Sequence, residues 1–142
     1  MQVLDRDKKK VDQEVAYLVR VIFPDEDTEV DPLEELAGLA ETAGSIVVGG
    51  MTQRRERPDS ATFIGSGKVA ELAELIKFHA VDVIIFDNDL SPGQVRNLEQ
   101  TLRVKVLDRT ELILDIFATH AQTYESRLAV ELAQLEYSLP RL

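Results

Sequence analysis

The chain has 142 residues, 26 of them acidic and 16 basic, giving a net charge of −10, and it contains no Cys. Disulfides and thiolate metal sites are therefore excluded, and so acidic a balance argues against general nucleic-acid binding, which needs clustered Lys and Arg. There is no run of about 18 apolar residues, and the first stretch, MQVLDRDKKK, lacks the apolar centre of a leader, so membrane insertion is not expected and the expected setting is cytoplasmic.

In chain order, residues 15–23 (VAYLVRVIF) are rich in β-branched and aromatic side chains and predict a buried strand. An acidic loop follows. Asp31 and Pro32 suit the N-cap and first position of a helix, with Glu34 completing a capping box, Leu33, Leu36, Ala37 and Ala40 facing inward and Gly44 ending it. Residues 45–53 predict a second strand in which Gly49-Gly50 fits a bulge or an edge. Residues 54–61 form a polar loop and 62–64 a short extended entry. The turn at Gly65, Ser66 and Gly67 then opens a helix over 68–79 with Val69, Leu72, Ile76 and Ala80 inside. Residues 81–86 (VDVIIF) are the clearest strand. Ser91, Pro92 and Gln94 repeat the capping logic for a helix that buries Val95, Leu98 and Leu102. Residues 104–107 form a last short strand, and Asp108 with Glu111 caps the helical region that runs to Leu142.

The alternation predicts an α/β fold: a small, mostly parallel four-stranded sheet flanked by helices in the order βαβαβαβα, followed by a long C-terminal helix. On that helix Leu128, Leu132, Leu135, Leu139 and Leu142 recur at steps of four and three and share one face. Four such leucines would expose ~240–480 Å², the size at which a patch marks an interface. The stripe is expected to pair with another helix or with a second copy of the chain.

Charge is unevenly spread. Residues 25–41 hold eight acidic residues and no basic one, while Arg54, Arg55, Arg57 and Lys68 lie close together. A solvated surface of mixed charge is the plain reading, and a basic face turned toward RNA is the sharper one. Gly65, Gly67 and Ala70 match the spacing of a dinucleotide fingerprint, with Ser66 and Lys68 in the turn and Asp87 at the end of the next strand. A P-loop does not fit, because Thr62 and Val69 stand at two of its required positions. The competing reading of the glycines is a tight turn with close packing. Asp87, Asp89 and Asp115 suit turns and caps. His79 and His120 have no ligand partners at helical spacing, so no catalytic or metal residue is expected. A small nucleotide-binding regulator or enzyme using residues 65–70 and Asp87 is the alternative function.

Several ordered blocks carry a resemblance. Phe63-Ile64-Gly65-Ser66-Gly67-Lys68 with Glu71-Leu72, Leu90-Ser91-Pro92-Gly93-Gln94-Val95-Arg96-Asn97-Leu98-Glu99, Val106-Leu107-Asp108-Arg109-Thr110-Glu111-Leu112, Glu131-Leu132-Ala133-Gln134-Leu135 and Pro140-Arg141-Leu142 together resemble the N-terminal domain of the HflX family of ribosome-associated GTPases. The resemblance implies an α/β subdomain over residues 1–121 and the start of a helical, coiled-coil subdomain over 122–142. The last helix would then be half of an antiparallel pair whose mate, with the GTPase domain, lies outside this sequence. It implies binding to the large ribosomal subunit and its RNA, and a role in rescuing or splitting stalled ribosomes under stress. GTP and Mg²⁺ belong to the family's GTPase domain, so no cofactor and no GTP hydrolysis are expected of this chain. On this reading Arg54, Arg55, Arg57, Lys68 and Arg141 are the candidate RNA contacts, and Leu128, Leu132, Leu135 and Leu139 the face for the partner helix.

Overall fold

A computed structural model describes residues 13–27 and 30–142, so the first twelve residues and two residues of the acidic run, Thr28 and Glu29, lie outside it. The elements are β1 (Val15–Ile22), α1 (Glu34–Thr42), β2 (Ile46–Arg54), α2 (Ser66–His79), β3 (Val83–Phe86), α3 (Pro92–Leu102), β4 (Lys105–Leu107), α4 (Arg109–His120) and α5 (Tyr124–Ser138), closed by a 3-10 turn at Leu139–Arg141. The four strands form one sheet in the order β2-β1-β3-β4, every neighbouring pair parallel. The expected α/β class is what the chain adopts.

Strand alternation divides the core into two layers. Tyr17, Val19, Val21, Ile84 and Phe86 face α2 and α3, where Leu72, Ile76, Val95 and Leu98 meet them. Ala16, Leu18, Val83 and Ile85 face α1 and α4, against Leu36, Ala40 and Leu112. β1 and β3 are central and buried on both faces, which is why their sequences run almost continuously apolar. β2 and the short β4 are the two edge strands. The register of β2 against β1 slips between Ala16 and Tyr17, leaving Val48 as the extra residue of a bulge directly before Gly49-Gly50. A Cβ on Gly50 would lie 2.6 Å from Leu33 Cδ1 and 3.1 Å from the Leu18 carbonyl oxygen. Gly50→Ala should therefore destabilise the chain by about 1–3 kcal/mol through overpacking, read as a lower urea midpoint at unchanged m.

Helix ends follow local chemistry, with three departures from expectation. Ser91 and Gln94 form the expected reciprocal box, and Asp108 accepts the Glu111 amide as an N-cap. At the end of α1, Gly44 takes φ 95° and the bonds Ser45 N–H to Ala40 O and Gly44 N–H to Glu41 O complete a Schellman motif. The start of α1 differs: Asp31 captures the amide of Leu33, two residues on, so the helix begins at Glu34 with Leu33 at the N-cap and no side-chain cap bond. Ala80 faces solvent at φ 50°, ending α2 in a left-handed residue, and the buried Val81 takes the inward place expected of it. Residues 62–64 are not extended, because Phe63 takes φ 67° and bridges back to Asp59.

After β4 come the fourth helix of the alternation, α4, and then the separate C-terminal helix, α5, as the expected element order has it. Ala121 is extended, Thr123 caps α5 in a box with Ser126, and α5 turns back over α4 so that Tyr137 reaches Asp108 at the start of α4. No residue of α5 is buried, and Leu128, Leu132, Leu135, Leu139 and Leu142 are each more than half exposed. The stripe read from the sequence is on the surface.

Candidate functional site

All four strands end on the same side, so the β1–α1, β2–α2, β3–α3 and β4–α4 connections share the carboxyl edge where α/β proteins build their sites. Three groups of side chains occupy it.

The first lies at the ends of β1 and β3. Arg20 Nε stands 3.7 Å from Asp87 Oδ2 and donates through Nη1 to Pro32 O at 2.8 Å. Arg109 bonds both Asp87 and Glu35. Burial pushes the Asp87 carboxyl above its usual range, against the opposing pull of Arg109 and Arg20. Glu35, at the surface, is held below the usual range by its bond to Arg109. Asn88 fills the crevice between the strands by accepting the Val21 N–H at 2.9 Å and donating to the Val21 carbonyl at 3.0 Å. Asp87, marked in the sequence as a nucleotide-site candidate, is thus held between two arginines of its own chain.

The second group is the loop from β2 to α2. Gln53 Oε1 accepts the Gly65 N–H at 3.0 Å, closing the loop at its base. Inside it Asp59 Oδ1 accepts the amides of Ala61 and Thr62 at 2.8 and 3.0 Å. From α3, Gln94 donates to Asp59 O and Asn97 to Ala61 O, each at 2.9 Å. Arg55 turns inward and donates from Nε to Arg57 O at 3.0 Å, and a Cβ on Gly65 would meet Arg55 Nη1 at 2.8 Å. Arg54 and Arg57 are exposed, as are Ser66 and Gly67. Lys68 pairs with Glu71 at 3.2 Å one turn along α2. Arg54 thus ends β2 and Lys68 stands in the first turn of α2, with Arg55 and Arg57 on the tied loop between them beside Glu56 and Asp59. The tight turn at Gly65 packs against the chain's own Arg55, and no strand feeds it.

The amides of Thr62 and Ala61 hold the Asp59 carboxyl below its usual range. A depressed native value means that the loop's stabilisation is complete above the unfolded pKa of about 3.9 and is lost as pH falls through the native one. Amide exchange at Ala61 and Thr62 should therefore accelerate, relative to that of the β3 amides, only in the acid range below pH ~4.

The third group joins the far end of α5 to the sheet. Asp108 is fully buried and accepts from Glu111 N at 2.9 Å, Leu90 N at 3.2 Å and the Tyr137 hydroxyl. Arg141 is only 8% exposed: it donates to Leu90 O at 2.8 Å and Tyr137 O at 2.9 Å, stacks 3.5 Å over the Tyr137 ring, and lies 3.7 Å from Asp108. Burial, then the bond to Asp108, push the Tyr137 phenol well above its usual range. Arg141, expected as an RNA contact, is thus placed inside the fold, because the 3-10 turn after α5 points it under Leu90.

Sequence reasoning passed over Gln53, Asp59, Gln94 and Asn97 as loop ties, and Tyr137 altogether. Asp59-x-x-Thr62 has the spacing of an Asx turn and was the one local signal available. Among the described residues no three His, Asp or Glu side chains gather as a metal site, and no helix is long and apolar enough to cross a membrane.

The comparisons with known proteins match this architecture. The profile of the GTP-binding GTPase N-terminal family matches residues 30–118, more than half of the chain. The GTPase HflX of Alkalihalophilus pseudofirmus is 47% identical over 138 residues, covering 96% of this chain and 33% of that protein. The chain belongs to the HflX family. The HflX GTPases of Caldanaerobacter subterraneus subsp. tengcongensis and Escherichia coli are 46% and 43% identical, over 100% and 91% of this chain and 32% and 30% of their own lengths. This chain therefore spans about a third of the curated HflX proteins it matches, at their N-terminal end. Among solved structures, SsGBP in complex with GDP gives a TM-score of 0.70 at 26% identity, over 92% of this chain and 36% of that one. A GTP-binding protein of Sulfolobus solfataricus with GDP gives 0.66 at 25%, over 91% and 38%.

Proposed function

We propose that this chain is the ribosome-docking module of an HflX GTPase, holding the large ribosomal subunit through RNA contacts and taking no part itself in GTP hydrolysis. On this reading residues 1–121 form the docking layer. Residues 122–142 begin a helical arm whose leucine face receives a second helix from the rest of the parent, and GTP and Mg²⁺ are handled there too. The parent works in the cytoplasm, in rescue or splitting of stalled ribosomes under stress. The observation that carries the docking reading is the set of cations flanking and lining the β2–α2 loop, Arg54, Arg55, Arg57 and Lys68, with Arg54 and Arg57 exposed on a chain of net charge −10. The nucleotide alternative has less support, since the Gly65 amide is bonded to Gln53 and Asp87 to Arg109.

Pelleting through a sucrose cushion tests the proposal. The chain should sediment with isolated large subunits in preference to small ones, and should leave them as salt rises. Equal recovery with both subunits, or none with either, would remove the docking assignment. The exposed leucines support the arm. If two copies pair through them, Leu132→Glu should shift a sedimenting dimer to monomer, because a charge buried among leucines has no compensating partner. Its effect on monomer stability should stay within about 0.5 kcal/mol, as for an exposed site.

A further inference from the structure

The ties within the β2–α2 loop sort its cations into two kinds. Arg55 is half-buried, bonded to the backbone of its own loop and set against Gly65, whereas Arg54 and Arg57 are exposed on either side of it. The loop backbone beside Arg57 is fixed in part by a carboxylate: Asp59 Oδ1 gathers the amides of Ala61 and Thr62, while the main chain of Asp59 bridges to Phe63 and its carbonyl accepts from Gln94 of α3. We propose that Asp59 is the positioning residue for Arg57 in an RNA-backbone contact that Arg57 makes together with Arg54 at the end of β2 and Lys68 at the start of α2, and that Arg55 is an internal strut of the loop that touches no phosphate. This rests on the docking reading above and adds to it which side chains meet RNA and which one positions Arg57.

The reasoning turns on sign. As a bare charge Asp59 opposes a polyanion, because it places a negative group among the cations that neutralise phosphate. As an acceptor it does the reverse. Arginine side chains are rich in rotamers, and ordering both them and the backbone beneath them at the moment of binding weakens the complex; a backbone fixed in advance removes part of that cost. The two roles predict opposite outcomes when the carboxylate is lost.

The test is filter binding of the full chain to purified large ribosomal subunits and, separately, to a short A-form RNA duplex, across a salt series. Asp59→Ala should bind about fivefold to tenfold more weakly at every salt, despite the removed negative charge, with the slope of log K against log salt unchanged. Asp59→Asn, which keeps the oxygen acceptor and loses only the charge, should bind at least as tightly as the parent. Arg57→Ala should flatten the slope by roughly 0.7–0.9, and Arg55→Ala should leave it unchanged. Amide exchange at Ala61 and Thr62, measured without RNA, should rise in Asp59→Ala and not in Asp59→Asn. Asp59→Ala binding as tightly as the parent or tighter, or exchanging no faster, overturns the positioning role and leaves docking standing. A flattened slope in Arg55→Ala overturns the strut. No salt-dependent binding by the parent overturns docking, and the RNA contact with it.

Discussion

Asp108→Ala should destabilise the chain by about 3–5 kcal/mol, enough to lower its melting temperature by roughly 10 °C. The carboxylate has no exposure and holds four groups from different parts of the chain: the Glu111 amide of its own helix, the Leu90 amide before α3, and Tyr137 and Arg141 from the end of α5. Removing it uncaps α4, worth about 1 kcal/mol alone. It also leaves a guanidinium that is 8% exposed without the nearer of its two carboxylates, the other being Glu111 at 3.9 Å. A buried charge stripped of its partner is the costly half of a broken pair, which is why the whole exceeds a cap. Tyr137→Phe, which takes away one neutral donor, should cost only about 0.5–1.5 kcal/mol. Chemical denaturation of both variants measures the ratio. If Asp108→Ala is no worse than a lost cap, the far end of α5 is not held by this cluster. Because α5 buries no residue along its length, the same variant should also loosen the arm, visible as faster amide exchange from Tyr124 to Ser138 than in Tyr137→Phe.

The second large effect is electrostatic. Reversing Arg54, Arg57 and Lys68 to Glu together should remove three phosphate contacts and flatten the salt slope of large-subunit binding by roughly 2.1–2.7 units. Over a change from about 50 to 200 mM salt, that difference in slope amounts to on the order of 20- to 40-fold in affinity. Binding at low salt should fall by more, since each reversal adds repulsion to lost attraction. The variant should fold normally, as two of the three side chains are exposed and the third is half-exposed and paired only to the exposed Glu71. Filter binding across the salt series decides it: an unchanged slope would mean that the loop faces away from RNA.

Most of the fold was legible because local and tertiary preferences agree. The run VDVIIF yields the fully buried β3, Ser91 with Gln94 forms its box, and Asp108 caps α4, since each signal needs only neighbours a few residues away. The leucine face was legible for the opposite reason: no tertiary partner among the described residues covers it, so the helical spacing alone decides where it points. Failures came where a short polar side chain diverts the backbone. Asp31 delays α1 by claiming the amide of Leu33, and Phe63, in a left-handed conformation bridged back to Asp59, replaces the extended entry expected at 62–64. At the candidate site the sequence marked charge but not burial. Arg54, Arg57 and Arg141 look alike in one dimension, and only the packing of the last turn under Leu90 makes Arg141 a structural residue. Asp59 stayed hidden because its importance lies in bonds to a loop backbone and to α3, 35 residues away in sequence.

A photo-crosslinking group at position 57, on the exposed shoulder of the loop, tests the central claim most directly when the chain is mixed with large ribosomal subunits and irradiated. The account predicts adducts to ribosomal RNA that disappear as salt is raised. Adducts to ribosomal proteins alone, or none above the level seen with small subunits, would contradict it.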